Sequence, residues 1–396
     1  MDSLARCRAA CMVLLAASPV ARAGPGLDGM GAAGAGVSGA ATAGTAGPAS
    51  VFHNPAALAT REGFQLEVGG AVAVPLALRA TRARPTLPNP RRWRPAVVTP
   101  PMVFAAWGNG ELGAGLGVYA PQVHAWAFDR AAVPEGVSGS DEKLLAVDAA
   151  MGHRVGPLAV GGGLALLGAL VEERHALAAG SASVQAAGAG VRAHVGLLVE
   201  VSPRLTAGAH ARTRSLVGLL GRARFDGCPT ACPAGGRVDG VRALPDSLAV
   251  GLGWRPWAAG RVTLDAEVQA WAAQGGGFAS PSGDVVLPGL AARRRGTLAA
   301  RAGVEQVLWW VAPDLRVRAG LSTQSAAVPD GRASPAWPWG PKAGASVGAG
   351  WRYMGITLDA AWAGEWTWPW GDGRGAAWTT TTQVLVASVG YGYAPR

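Results

Sequence analysis

The residues able to do chemistry are few and far apart. Six histidines stand at 53, 124, 153, 175, 194 and 210, and none has a partner at the HxxxH or HExxH spacing of a helical metal site. His53 lies in GPASVFHNPAAL (47–58), a compact Phe-His-Asn-Pro unit that follows a stretch of Gly, Ala, Ser and Thr. Three roles suit it: a catalytic histidine, a structural turn, or a plug inside a barrel. His194 and Ser202 would face the same side of an extended chain, but eight residues of strand span ~26 Å, too far for proton transfer. Gly161-Gly162-Gly163 follows no strand-to-helix pattern, so it is no phosphate loop; it reads as a place where strands curve or another segment packs closely. Cys228 and Cys232 sit in DGCPTACPAGG, a Pro- and Gly-flanked stretch without another Cys or His. That favours a short disulfide-closed loop over a metal site. No enzyme constellation, cofactor motif or metal site emerges, and the expected role is non-enzymatic.

The elements that would position these residues begin after an export signal. Arg6 and Arg8 precede the apolar run AACMVLLAASPV, and Ala21-Arg22-Ala23 has the small-x-small form of a cleavage site, so 1–23 reads as a signal peptide. Cys7 and Cys11 fall within it. The formal net charge of +10 does not point to nucleic acid, because the arginines are spread through alternating segments instead of clustering on a helix. Basic density peaks in RPTLPNPRRWR (84–94), a Pro-rich stretch that reads as a solvated loop, with acidic lipid headgroups as the other possible contact. GPLAVGGGLALLGALV (156–171) is short for a membrane helix and runs straight into Glu172-Glu173-Arg174.

Period two dominates the rest. In VRAHVGLLVEVS (191–202), Val191, Ala193, Val195, Leu197, Val199 and Val201 share one face, with Arg192, His194 and Glu200 on the other. The same alternation recurs at 204–215, 261–271 and 315–324. A soluble sandwich would show it too. Two features favour a membrane barrel. Tight connections at 202–203, 255–260 and 312–314 alternate with long Pro- and Gly-rich ones at 80–97, 221–244, 274–290 and 326–341. Trp254, Trp257, Trp309, Trp310, Trp366, Trp368 and Trp370 fall near strand ends, as interfacial girdles require. About fourteen strands are expected between 63–80 and 377–394, among them 110–120, 204–220 and 246–257. The fold class is therefore all-β, a transmembrane antiparallel barrel.

Several stretches resemble the FadL/TodX family of outer-membrane transporters for long-chain fatty acids and hydrocarbons. GTAGPASVFHNPAALA (44–59) is similar to the family's N-terminal signature, and GELGAGLGVYAP (110–121) to its early strand pair ending in a Tyr-Ala-Pro turn. LPDSLAVGLGWRPWAAGRVTLDAEVQAW (244–271), LRVRAGLSTQSAAVPD (315–330) and GASVGAGWRYMGITLDAAWA (344–363) follow in the family's order. The resemblance implies a signal peptide over 1–23, a hatch over 24–62 folded inside the barrel, and a fourteen-stranded wall over 63–396. Phe52, His53, Asn54, Pro55 and Ala56 would form the hatch motif, with Asn54 bonding to the inner wall. It also implies a monomer in a Gram-negative outer membrane, amid lipid and lipopolysaccharide. Such a protein would take up a fatty acid-like hydrophobic molecule passively and need no cofactor. Two features depart from the pattern: the last aromatic is Tyr393 in YGYAPR, and Phe and Tyr are scarce. They motivate an alternative, a structural or secretion-associated barrel without transport. A lipid hydrolase is a third class, disfavoured by the absence of a Ser-His pair within reach.

The arginines expected to face the lumen (Arg192, Arg212, Arg214, Arg301, Arg316 and Arg318) admit two readings. They could hold a carboxylate headgroup through charge-assisted hydrogen bonds. Equally, they could pair with Asp148, Glu200, Asp265, Glu267, Glu305 and Asp359 across a solvated wall. Arg316 and Arg318, in the most family-like strand, are the first candidates for a headgroup site.

Overall fold

The computed structural model describes residues 29–44, 47–80, 101–127, 136–177, 180–227, 235–271, 277–281, 286–287, 296–327, 340–371 and 377–393. The expected signal peptide, the basic stretch 84–94 and the Cys228–Cys232 pair lie outside these residues.

Fourteen antiparallel strands close into a barrel. They are β1 Glu62–Ala80, β2 Pro101–Asn109, β3 Leu112–Ala127, β4 Gly136–Val155, β5 Leu158–Leu177 and β6 Gly180–Ser202. β7 runs Leu205–Arg212 and resumes as Ser215–Asp226; β8 runs Gly236–Leu244 and resumes as Asp246–Trp254. β9 Gly260–Ala270, β10 Thr297–Val307, β11 Leu315–Gln324, β12 Lys342–Tyr353, β13 Ile356–Thr367 and β14 Ala377–Tyr393 complete the wall. β1 pairs with β2 on one side and β14 on the other, so Phe64 stands opposite both Trp107 and Tyr393. Each of the fourteen strands pairs with a neighbour on both sides, which is the condition for a sheet to cross lipid.

The wall departs from the sequence expectation in three places. Tyr-Ala-Pro (119–121) is not a turn: β3 continues to Ala127, and pairing with β4 jumps from Tyr119 to Gln122 across a bulge. β7 extends well past 220, interrupted at 213–214, where its register against β6 slips by one residue. Much of the stretch expected as a loop over 221–244 is strand, because Pro245, which lacks an N–H, interrupts β8 without ending it.

Which face is apolar decides the environment. On β5, Ala165, Leu167, Ala169 and Val171 are buried, while Leu164 and Leu166 on the other face are 59% and 61% exposed. The exposed row of nearly every strand is likewise Leu, Val, Ala and Gly, so the outer surface suits hydrocarbon and not water. Trp107, Trp254, Trp257, Trp309, Trp310, Trp351, Tyr353, Tyr391 and Tyr393 are exposed at the short-turn end. Trp366 and Trp368 stand at the other. A shallow apolar concavity of about 990 Å³, where Ala207, Ala209, Ala266, Ala300 and Ala302 thin the wall, opens on this lipid-facing side.

Residues 29–44 and 47–60 pack against the inward face. They form α1 (Ala32–Gly36), α2 (Ser50–His53) and two short 3-10 turns, and Met30, Val51, Ala56 and Leu58 are fully buried. The fit depends on glycines in the wall. A Cβ on Gly161 of β5 would lie 2.5 Å from the Ala56 nitrogen, and one on Gly196 of β6 would collide with Asn54 and Pro55. Gly162, on the outward face, has no atom nearer than 3.4 Å to such a Cβ. Gly161→Val should therefore weaken packing of the N-terminal segment by about 1–3 kcal/mol, and Gly162→Val should not. Limited proteolysis within 47–60, with gel mobility of the unheated barrel as the folding control, checks this.

Candidate functional site

The Phe-His-Asn-Pro unit is built around one side chain. Asn54 is extended between α2 and the following 3-10 turn, and it is completely buried. Its Oδ1 accepts from the Ala56 N–H at 3.1 Å, capping that turn, while Pro55 at the first position has no N–H to satisfy. Its Nδ2 donates to the Thr42 carbonyl at 2.8 Å and to the Leu197 carbonyl of β6 at 3.0 Å. One amide thus ties the turn, the preceding loop and the wall.

Phe52 faces the opposite way, into an aromatic cluster. Its ring meets Tyr119 edge-on at 5.2 Å, and Tyr119 stacks on Phe104 at 5.6 Å. The Arg212 guanidinium lies 4.3 Å from the Phe52 ring centre and donates to the Phe52 carbonyl at 2.6 Å. Behind them runs a hydrogen-bonded chain. The Tyr119 hydroxyl donates to Asp148 at 2.7 Å, Asp148 lies 2.9 Å from His194 Nε2, and His194 Nδ1 lies 3.4 Å from His210 Nε2. The histidines are thus not all scattered. His194 and His210 meet because they flank the Ser202-Pro203 turn on the same inward face, a spacing that hairpin arithmetic on the sequence reveals. Among the described residues no three His, Cys, Asp or Glu are grouped to hold a metal.

Above this cluster, toward the long-connection end, Met102, Leu144, Leu167, Val171, Val184, Val217, Leu219, Val238 and Phe278 pack into one apolar core, with buried Glu142, Glu173 and His175 beside it. The bulge at 119–122 adjoins it. Residues that sequence reasoning missed lie here too. Arg242 of β8 bonds Glu142 at 3.1 Å and Glu173, and rests over the Phe278 ring.

No protein-family model matches the chain, and no curated protein matches it. Solved structures do. A FadL homologue of Pseudomonas aeruginosa superposes with a TM-score of 0.77 at 14% identity, over 94% of this chain and 100% of its own. The P. putida toluene transporter TodX gives 0.71 at 15% identity, over 93% and 100%. The Ralstonia pickettii toluene transporter TbuX gives 0.71 at 16%, over 93% and 99%. The fold is FadL-like.

In this FadL-like barrel the arginines expected in the lumen divide. Arg318 donates to Glu305 at 2.6 Å and Asp359 at 2.5 Å, and Arg316 lies 3.8 Å from Glu305. Arg301 pairs with Glu267 at 2.8 Å. These pairs adjoin the N-terminal segment: Gly36 packs on Arg318, and nearby the Thr42 N–H donates to Asp265 at 2.8 Å. A cavity of about 40 Å³, lined by Arg261, Glu305, Arg318 and small residues of 33–44, is the space left beside it there. Arg192 satisfies the carbonyls of Thr213 and Pro245, where β7 and β8 break. Arg214 turns outward, half-exposed and paired with Asp246, because the break at 213–214 reverses its face.

His53 shows the same dependence on burial. Its Nε2–H donates to the Met30 carbonyl at 2.9 Å in the neutral form. Burial pushes its pKa from 6.5 down to about 4, outweighing that bond. The packed state holds His53 neutral, so its stability is complete above pH 6.5 and falls as pH drops from 6.5 toward 4. Hydrogen-exchange protection at 30–35 and 50–58, taken relative to the intrinsic rate at each pH, should fall across that window in the wild type and stay flat in His53→Gln. Asn54→Ala leaves the Thr42 and Leu197 carbonyls short of a donor. It should loosen the same amides by about 1–3 kcal/mol at neutral pH.

Proposed function

We propose that this protein is an outer-membrane channel for passive uptake of hydrophobic compounds, with residues 29–60 as its hatch. The observation that carries the reading is the cluster of Phe52, Phe104 and Tyr119. It joins three things in one place: the apolar upper lumen, the hatch motif, and the bulge at 119–122 where the wall ladder is broken. An apolar solute descending the lumen meets Phe52 and then either the bulge or the hatch. That the similar structures include toluene transporters supports this reading. A long-chain fatty acid or a hydrocarbon fits the lining equally, since apolar burial is nondirectional.

The hatch is held by hydrogen bonds and small contacts that can be exchanged without unfolding the wall. A Cβ on Gly115 of β3 would lie 2.5 Å from a Val51 methyl carbon, so the two positions adjoin across the contact between hatch and wall and are a place to cross-link them. In cells carrying Val51→Cys with Gly115→Cys, oxidation should slow uptake of long-chain fatty acids or aromatic hydrocarbons, and reduction should restore it. Full uptake through the oxidised form would overturn the gating role and leave the channel intact. Unchanged uptake in cells lacking the protein, across a panel of both solute classes, would instead point to a structural barrel.

A further inference from the structure

The outward face of the wall changes character abruptly toward the long-connection end of β5 to β8. On β5 the outward positions are apolar from Leu158 through Leu164, Leu166 and Leu170, and then come Glu172 and Arg174. On β6 the apolar positions give way to Gln185 and Ser183, on β7 Leu216 and Leu220 give way to Arg222 and Arg224, and on β8 Val241 gives way to Asp239 and Arg237. Strand register sets these side by side. Arg174, Ser183 and Arg224 form one row; Glu172, Gln185, Arg222 and Arg237 form the next.

The apolar run from Leu158 to Leu170 rises ~30 Å at an ordinary strand rise and barrel tilt, one hydrocarbon thickness. The arginines therefore stand at the outer border of the lipid, where long connections face the exterior. A groove of about 510 Å³ opens there, lined by Ser183, Gln185, Leu220, Arg222, Arg224 and Arg237. Nearby acids are engaged: Glu172 accepts from Gln185 at 3.3 Å, and Asp239 lies 3.4 Å from Arg237. Arg174, Arg222 and Arg224 have no ion pair among the described residues. Three exposed guanidinium groups without an ion pair thus crowd one sector, and with Arg237 they outnumber its carboxylates, Glu172, Asp226 and Asp239.

We propose that this sector binds the phosphates of a phosphorylated glycolipid of the outer leaflet, the lipid A portion of lipopolysaccharide. Guanidinium groups bind phosphate oxygens in pairs. Gln185 and Ser183 offer partners for sugar hydroxyls; Leu170 and Leu220 next to them, and Leu164, Leu166 and Leu216 further down the strands, give the acyl chains an apolar wall. The site needs only a barrel embedded in an outer membrane, so it stands whether or not the lumen transports. In detergent micelles, the native protein should bind bisphosphorylated lipid A about tenfold or more tightly than lipid A stripped of phosphate. Arg222→Gln with Arg224→Gln and Arg237→Gln, verified as folded by gel mobility, should lose a similar factor. Equal binding of the two lipids by the native protein, or full binding by the folded variant, would overturn the site. Displacement by inorganic phosphate at the concentration effective for lipid A would overturn its assignment to a lipid.

Discussion

Hydrocarbon offers a backbone no hydrogen-bonding partner, and every other feature of this molecule follows from that. Each N–H and C=O crossing the lipid must be satisfied by a neighbouring strand, so the sheet has to close, and β1 meets β14 over nearly its whole length. Closure fixes an inside and an outside for every residue. It sends Leu164 and Leu166 to lipid and Leu167 and Val171 to the lumen, though all four are chemically interchangeable.

Once closed, the barrel has an interior that must itself be filled or satisfied. The lower part is polar, and its charges are paired across strands: Arg301 with Glu267, Arg318 with Glu305 and Asp359. The N-terminal segment supplies further partners, with the Thr42 N–H on Asp265 and the Ala43 carbonyl on Arg261. Wall and segment therefore complete each other electrostatically. Contact this close is sterically possible because the wall is glycine where the segment touches it most tightly.

The irregularities of the wall are placed, not random. The bulge at 119–122 lies beside the aromatic cluster, and Arg192 takes the Thr213 and Pro245 carbonyls where β7 and β8 break. One irregularity thus lies against aromatic rings and the other against a guanidinium, and Tyr119 is the residue where lumen, wall and N-terminal segment converge.

The sequence by itself determined the fold class, because period two with tight and long connections in alternation admits few other architectures. Its Asn54-Pro55 pair likewise announced a fixed turn, since both residues restrict the local backbone. Local pattern could not reveal that Tyr-Ala-Pro continues a strand, nor that Arg214 faces outward, because one extra residue in a ladder reverses every side chain beyond it. Nor could it show Asn54 reaching Leu197, Phe52 under Arg212, or Arg174 beside Ser183 and Arg224. Those contacts join residues far apart along the chain, and the register of a closed sheet, a property of all fourteen strands together, brings them within reach.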